Sequence, residues 1–160
     1  MSTRADPIQD VTIEPGKSTD LEAVIEVMNA AFDERFGEAW TRSQCAGILP
    51  MPGVKLVLAV QDGATAGFSL YRTVADEAEL LLLAVDPKRR RRGIGSMLLD
   101  HFIDQAHAVG ASRVHLEVRE GNPAVIMYRN AGFSVAGRRP KYYHGRFGGD
   151  FDALTLSRKL

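Results

Sequence analysis

The stretch ELLLLAVDPKRRRRGIG, at positions 79–95, decides how the rest of this chain folds. Residues 80–85 form an apolar run of strand length. Pro87 ends that run, because proline has no amide hydrogen and disfavours helix in the residue before it. Five consecutive cations follow at positions 88–92, and from Ile94 onward apolar residues recur at helical spacing. The stretch therefore predicts a strand, a basic loop and a helix.

The junction between this loop and the helix is a predicted anion site. The first amide N–H groups of a helix have no partner within the helix, and the helix dipole adds positive potential there. Gly93 and Gly95 let a ligand approach the backbone closely. A phosphate is the expected ligand. The alternative is a turn with a solvated run of charge before an ordinary helix.

Composition is that of an ordinary globular protein. The chain has 160 residues, of which 45% are hydrophobic and 25% charged, with a formal net charge of zero. Neutrality gives no overall attraction to nucleic acid or to a membrane surface. The single cysteine, Cys45, can form no internal disulfide, and no zinc-ligand spacing is present, so no metal site is predicted. The sequence shows no signal peptide and no membrane span, and we expect a cytoplasmic protein.

The remaining sequence predicts one α/β domain over residues 1–160, with a flexible polar start at residues 1–10. Alternating or apolar runs predict strands, and apolar residues spaced three and four positions apart predict helices. The predicted strands cover residues 11–14, 54–60, 66–73, 79–85, 112–119, 133–137 and 152–156. The predicted helices cover residues 21–32, 41–49, 94–109 and 123–130.

Turn lengths predict how these elements connect. Short turns join the strands between positions 54 and 85, which indicates an antiparallel meander. A helix then joins the strands at 79–85 and 112–119 in a βαβ unit, so these two strands are expected to be parallel. Residues 138–149 are expected to form a basic aromatic loop, and the last strand to pair near Phe133. The prediction is a mixed central sheet flanked by about four helices.

Three motifs, in order, resemble those of one enzyme family. RRRGIG at 90–95 resembles the acetyl-CoA pyrophosphate loop, Arg/Gln-x-x-Gly-x-Gly/Ala, of the GNAT N-acetyltransferases, and AVDP at 84–87 resembles the strand end before it. LEVREGN at 116–122 and YRNAGF at 128–133 are similar to the LEVR-x-x-N and Y-x-x-x-GF segments of the family. With RRPKYY at 138–143, the chain looks most like the RimI-type branch, the ribosomal-protein alanine N-acetyltransferases.

The resemblance implies transfer of acetyl from acetyl-CoA to a primary amine by direct attack, without a covalent enzyme intermediate. The implied acceptor is the N-terminal α-amine of a ribosomal protein. Glu117 would be the general base and Tyr128 the general acid. The residues implied to bind acetyl-CoA are Leu83, Ala84, Val85, Arg90, Arg91, Arg92, Gly93, Ile94, Gly95, Ser96, Asn122 and Tyr128.

One spacing departs from the family pattern. The family places its tyrosine seven residues after the asparagine, whereas Asn122 and Tyr128 are six positions apart. One residue fewer turns a helical side chain by about 100°. Either the helix start shifts or Asn122 loses its usual contact with the CoA arm. Tyr128 keeps its spacing to Gly132 and Phe133, so its assignment is the firmer of the two.

The proposed chemistry explains why these residue types are needed. Only the unprotonated amine attacks a thioester, and an α-amine with a pKa near 7.7–8.0 is substantially protonated at neutral pH. A carboxylate such as Glu117 can take up that proton, and a phenol such as Tyr128 can protonate the leaving thiolate. The alternatives are a surface glutamate paired with His115 or Arg119, and a tyrosine that only packs in the core.

The identity of the acceptor rests on weaker signals. Tyr142 and Tyr143 could line an acceptor groove, and Asp33, Glu34 and Glu38 could attract a cationic acceptor. A small-molecule amine and a protein lysine are alternative acceptors. A different class of function is a non-catalytic module that binds acyl-CoA, or RNA through the cations at 88–92. The lack of aromatic residues within that run speaks against RNA binding.

Overall fold

The computed structural model describes residues 10–90 and 93–160, and a seven-stranded sheet forms its centre. The strands are β1 (Val11–Pro15), β2 (Val54–Gln61), β3 (Ala64–Val74), β4 (Glu77–Val85), β5 (Arg113–Arg119), β6 (Ser134–His144) and β7 (Asp150–Lys159). The α-helices are α1 (Leu21–Ala31), α2 (Arg42–Ile48), α3 (Ile94–Ala108) and α4 (Ala124–Asn130). Short 3-10 turns lie at Ser18–Asp20, Glu34–Phe36 and Pro87–Arg89.

The sheet has the strand order β1-β2-β3-β4-β5-β7-β6. All neighbouring strands are antiparallel except β4 and β5, which are parallel and are connected through α3. The predicted antiparallel meander, the βαβ unit and the mixed sheet with four helices are confirmed. The prediction did not include the insertion of β7 between β5 and β6.

The end of the chain departs from the predicted boundaries. β6 continues to His144, so the loop predicted at 138–149 is wrong for its first half. The register of β6 against β7 shifts between Arg139 and Tyr143, and Lys141 has a positive φ of 51°. This bulge interrupts the alternation by which a strand is recognised in a sequence. Pro140 is tolerated because β6 is an edge strand, where a missing amide hydrogen breaks no ladder.

β4 and β5 separate part-way along their length. They pair from Glu77 with Arg113 to Leu80 with Leu116, and no further. Against β3 on its other side, β4 skips one residue at Leu81, which is the geometry of a β-bulge. The rest of β4 therefore diverges from β5 and leaves a gap between two strand edges.

Two apolar layers pack on opposite faces of the sheet. α3 covers one face, where its residues Leu98 and Phe102 are fully buried. α1 and α2 cover the other face, where Met28 and Cys45 pack against β2 and β3. Among the described residues, no helix has the length and apolarity that would let it cross a membrane.

Truncating the core under α3 should destabilise the fold. Phe102 has no exposed surface, and its ring centroid lies 5.1 Å from that of Tyr71. Phe102→Ala should lower the free energy of unfolding by about 3–5 kcal/mol, measured by urea denaturation. Val109→Ala, at the exposed end of the same helix, is the control and should change it by less than about 0.5 kcal/mol. Equal losses in the two variants would contradict the assignment of this core.

Candidate active site

A cavity of about 680 Å³ opens where β4 and β5 separate. Its walls come from the end of β4, the start of α3, the end of β5, α4 and β6, together with the segment between α1 and α2. The volume lies within the range of about 300–1,000 Å³ that is usual for small-molecule sites. The same cavity is lined by Glu117 and Tyr128 and by the glycines of the predicted anion site.

The start of α3 forms one end of this cavity. Gly93 precedes the helix with a φ of 78°, a left-handed conformation that favours glycine. A Cβ on Gly95 would lie 3.3 Å from the sulfur of Met127, so a side chain there would crowd α4. The amides of this first turn have no acceptor inside the helix and adjoin the cavity near Ser96. The predicted site for an anion therefore has the required geometry.

The basic residues before α3 have partners within the protein. Arg90 donates from Nη2 to the carbonyl of Ala31 at 2.8 Å, at the end of α1. Arg89 donates from Nη1 to Gln61 at 2.7 Å and also lies near the carboxylate of Asp62. Both arginines line the cavity. The other two predicted members of the loop, at positions 91 and 92, lie outside the described residues.

The strand end predicted to bind acetyl-CoA also lies on the cavity. Leu83, Ala84 and Val85 line it after the bulge in β4. Their partners in β3 lie on the side away from β5. The facing edge of β4 therefore keeps backbone groups without a ladder partner in β5, as a backbone contact to a ligand requires.

Glu117 lies on β5 with its side chain 12% exposed. Its Oε2 accepts a hydrogen bond of 2.8 Å from Thr155 Oγ1, and its Oε1 lies 3.0 Å from Arg139 Nε. The alternative pairing with His115 or Arg119 is not what the structure shows. Since a carboxylate has about four lone-pair positions, Glu117 retains the capacity to accept a proton from a substrate.

Tyr128 is buried on α4, with its ring 6.0 Å from that of Phe133. Within the described part of the chain its hydroxyl has no hydrogen-bond partner. Burial, and then the negative charge of Glu38, raise the pKa of Tyr128 well above the ordinary value for a phenol. Tyr128 therefore stays protonated at neutral pH. Burial and Glu38 also raise the pKa of Tyr143, which shares the cavity wall.

Asn122 uses both ends of its side-chain amide within the protein. Its Oδ1 accepts from the amide of Ala124 at 2.9 Å, and Pro123 already has helical angles, so the Asn122 side chain caps the start of α4. Its Nδ2 donates to Glu38 Oε2 at 2.8 Å. Asn122 lines the cavity, but its amide is directed to Glu38 within the protein.

Several residues around the site were not identified from the sequence. Thr155 pairs with Glu117 across β5 and β7, a register that follows from the unpredicted insertion of β7. Arg119 and Arg139 were not assigned to the site. Glu38 was considered only as an attraction for a cationic acceptor, whereas its carboxylate forms an ion pair with Arg119. No local pattern indicates contacts between residues so far apart in the sequence.

Comparison with known proteins assigns the chain to a family. The model of the Acetyltransferase (GNAT) family matches residues 21–133, which is well over half of the chain. The protein belongs to the GNAT acetyltransferase family. The family predicted from the motifs around residues 90–95, 116–122 and 128–133 is thereby confirmed.

Individual GNAT relatives agree with this assignment. The [ribosomal protein bS18]-alanine N-acetyltransferase of Escherichia coli (strain K12) is 43% identical over 98 residues, which are 61% of this chain and 66% of that enzyme. The crystal structure of the Escherichia coli ribosomal-protein-S18-alanine N-acetyltransferase has a TM-score of 0.82 and 32% identity, covering 93% of both chains. A mycothiol acetyltransferase from Clavibacter michiganensis subsp. michiganensis is 36% identical over 105 residues, which are 65% of this chain and 31% of that protein.

The environment of Tyr128 predicts its alkaline titration. Tyr128→Phe should remove one ionisation from the most alkaline part of the phenolate absorbance titration, because the folded state holds this proton more tightly than the unfolded chain does. The same difference makes unfolding easier as the pH rises above about 10, where only the unfolded chain ionises. Phe133→Leu, which alters the neighbouring ring, should leave the number of ionisations unchanged. Loss of an ordinary phenol ionisation in Tyr128→Phe would contradict the burial of this hydroxyl.

Proposed function

We propose that this protein transfers acetyl from acetyl-CoA to the N-terminal α-amine of a ribosomal protein. The observation that carries the proposal is one cavity that joins the N-terminal end of α3 to Glu117 and Tyr128. The likeness to alanine N-acetyltransferases named for ribosomal protein bS18 supports this acceptor. If the acceptor is a ribosomal protein, the reaction takes place in the cytoplasm. In this proposal, residues 1–160 form a single acetyltransferase domain.

The start of α3 would hold the pyrophosphate of acetyl-CoA. The amides of Ile94, Gly95 and Ser96 have no acceptor within α3, so they can donate to an anion, which also interacts favourably with the helix dipole. Arg90, which lines the same end of the cavity, adds positive charge there. The free edge of β4, at residues 83–85, would bind the pantetheine arm through its backbone.

Glu117 would prepare the acceptor for attack. The carboxylate takes one proton from the α-ammonium group, directly or through a water, and leaves the amine with a free lone pair. The hydroxyl of Thr155 holds one carboxylate oxygen in place. The amine nitrogen then forms a bond to the thioester carbonyl carbon.

Tyr128 would assist the departure of the thiol. As the carbon–sulfur bond breaks, sulfur becomes a thiolate and requires a proton. The Tyr128 phenol remains protonated at neutral pH and has no competing hydrogen-bond partner among the described residues. It donates its proton to sulfur, and the resulting phenolate is reprotonated by solvent or by the proton released at the amine. The products are an N-acetylated acceptor and CoA.

A small-molecule amine is the second candidate acceptor. The likeness to a protein named mycothiol acetyltransferase favours it, because that relative matches a similar share of this chain. A protein lysine is less suited to the site, because its amine has a pKa of about 10.4 and is harder to deprotonate. The RNA-binding alternative has no support from these relatives.

The acceptor can be tested by thiol release from acetyl-CoA. A peptide with a free N-terminal alanine should be acetylated, whereas the same peptide with a blocked N-terminus and one internal lysine should not. A polyamine tests the small-molecule alternative. Calorimetric titration with acetyl-CoA is the control for binding. Turnover of the blocked peptide but not of the free one would overturn the N-terminal acceptor, and failure to bind acetyl-CoA would overturn the enzyme as a whole.

The role of Glu117 can be tested by the pH dependence of one variant. Glu117→Gln should lower kcat/KM by about 10²–10⁴-fold near pH 7, the usual contribution of a general base. The loss should be smaller near pH 9, because most of the α-amine is then unprotonated. Glu120→Gln, three residues further along the chain and exposed, is the matched control and should retain activity at both pH values. An equal loss for Glu117→Gln at both pH values would argue against a base.

A further inference from the structure

Glu38 meets two polar side chains from a distant part of the chain, Arg119 and Asn122, beside the catalytic end of the cavity. Arg119 Nε donates to Glu38 Oε1 at 2.8 Å, and Asn122 Nδ2 donates to Glu38 Oε2 at 2.8 Å. Each oxygen of the Glu38 carboxylate therefore has a partner. Glu38 lies in the segment between α1 and α2, Arg119 ends β5, and Asn122 caps α4.

The charged pair in this link is largely shielded from solvent. The side chains of Glu38 and Arg119 are only 9% and 11% exposed. The Arg119 guanidinium carbon lies 3.7 Å from the centroid of the Phe36 ring, which in turn packs edge-on against Phe151. A charge pair in such surroundings is weakly screened, and removing one partner leaves the other charge buried and uncompensated.

These hydrogen bonds connect the segment between α1 and α2 to the helix that carries Tyr128. Glu38 follows a 3-10 turn in a connecting segment, which has few ladder bonds of its own. Asn122 holds the first turn of α4 by accepting from the Ala124 amide, and α4 carries Tyr128. The Glu38 carboxylate therefore fixes the segment and the start of α4 relative to each other, and its charge acts on the Tyr128 phenol.

We propose that Glu38 is a positioning residue that docks the segment between α1 and α2 onto the start of α4 and thereby holds Tyr128 at the cavity wall. The expected effect on kcat rests on the proposed acetyltransferase function, whereas the docking of the segment onto α4 does not. Because the Asn122 amide donates to Glu38, the short spacing between Asn122 and Tyr128 goes with a start of α4 that a contact within the protein holds in place.

Glu38→Gln tests the link with little change in size. The amide oxygen can still accept from Asn122, but the negative charge opposite Arg119 is lost. We expect kcat to fall by about tenfold or more, which corresponds to about 1.4 kcal/mol, while the calorimetric affinity for acetyl-CoA stays within about twofold. Amide hydrogen exchange in the free protein should rise in residues 33–41 and 123–130 together.

Two further variants keep the test decisive. Glu22→Gln removes an exposed pair with Arg42, at the start of α2, and should leave kcat and exchange in α4 unchanged. Arg119→Lys keeps the charge but loses the planar fork, and it serves if Glu38→Gln does not fold. It should change kcat and exchange in the same direction as Glu38→Gln.

The outcomes separate this inference from the proposed function. Unchanged kcat in Glu38→Gln, or faster exchange confined to residues 33–41, would overturn the positioning role. If the wild-type protein acetylates none of the acceptors, the proposed function fails. Faster amide exchange in both segments of Glu38→Gln would then still support the docking of the segment onto α4, and faster exchange in one segment alone would overturn it.

Discussion

The separation of two parallel strands, β4 and β5, is the constraint on which the site depends. Strands that stay paired satisfy each other's amide and carbonyl groups, and nothing can bind between them. Here the ladder ends at Leu80 and Leu116, and the bulge at Leu81 directs the rest of β4 away. Backbone groups left without a partner inside a protein are unfavourable unless another group satisfies them. The gap is therefore suited to a ligand that carries its own amide groups, as the pantetheine arm does.

The same topology brings the anion site to this gap. A parallel pair requires a crossover, and the crossover helix α3 begins just beyond the carboxyl end of β4. Its free amides therefore lie beside the opening, where open α/β sheets generally bind ligands. The glycines at 93 and 95 keep the helix start clear of side chains, and a Cβ at Gly95 would lie 3.3 Å from the Met127 sulfur, so glycine there lets α3 and α4 lie close together. In the proposed function, pyrophosphate binding and thioester placement would both follow from one crossover.

Sequence patterns predicted the features that depend on residues close together in the chain, and missed those that depend on residues far apart in it. Alternation, helical spacing and the proline after β4 predicted the elements, and the motifs around Glu117 and Tyr128 predicted two residues that do line one cavity. The place of β7 between β5 and β6 was not predictable, because strand pairing across a long connection leaves no local pattern. The extent of β6 was missed because the bulge at Lys141 breaks its alternation. The contact of Glu38 with Arg119 spans 81 residues.

Two carboxylates at the site each face an arginine, and the burial of the arginine separates their roles. Arg139, the partner of Glu117, is 62% exposed, so solvent screens the pair and would hydrate the guanidinium if it left. In the proposed function, an incoming ammonium would replace Arg139 beside Glu117, while Thr155 keeps the carboxylate in place. Arg119 is 11% exposed and cannot leave Glu38 without remaining unpaired in the interior. The exposure of Arg139 thus suits Glu117 to the proposed role of base, and the burial of Arg119 suits Glu38 to a structural role.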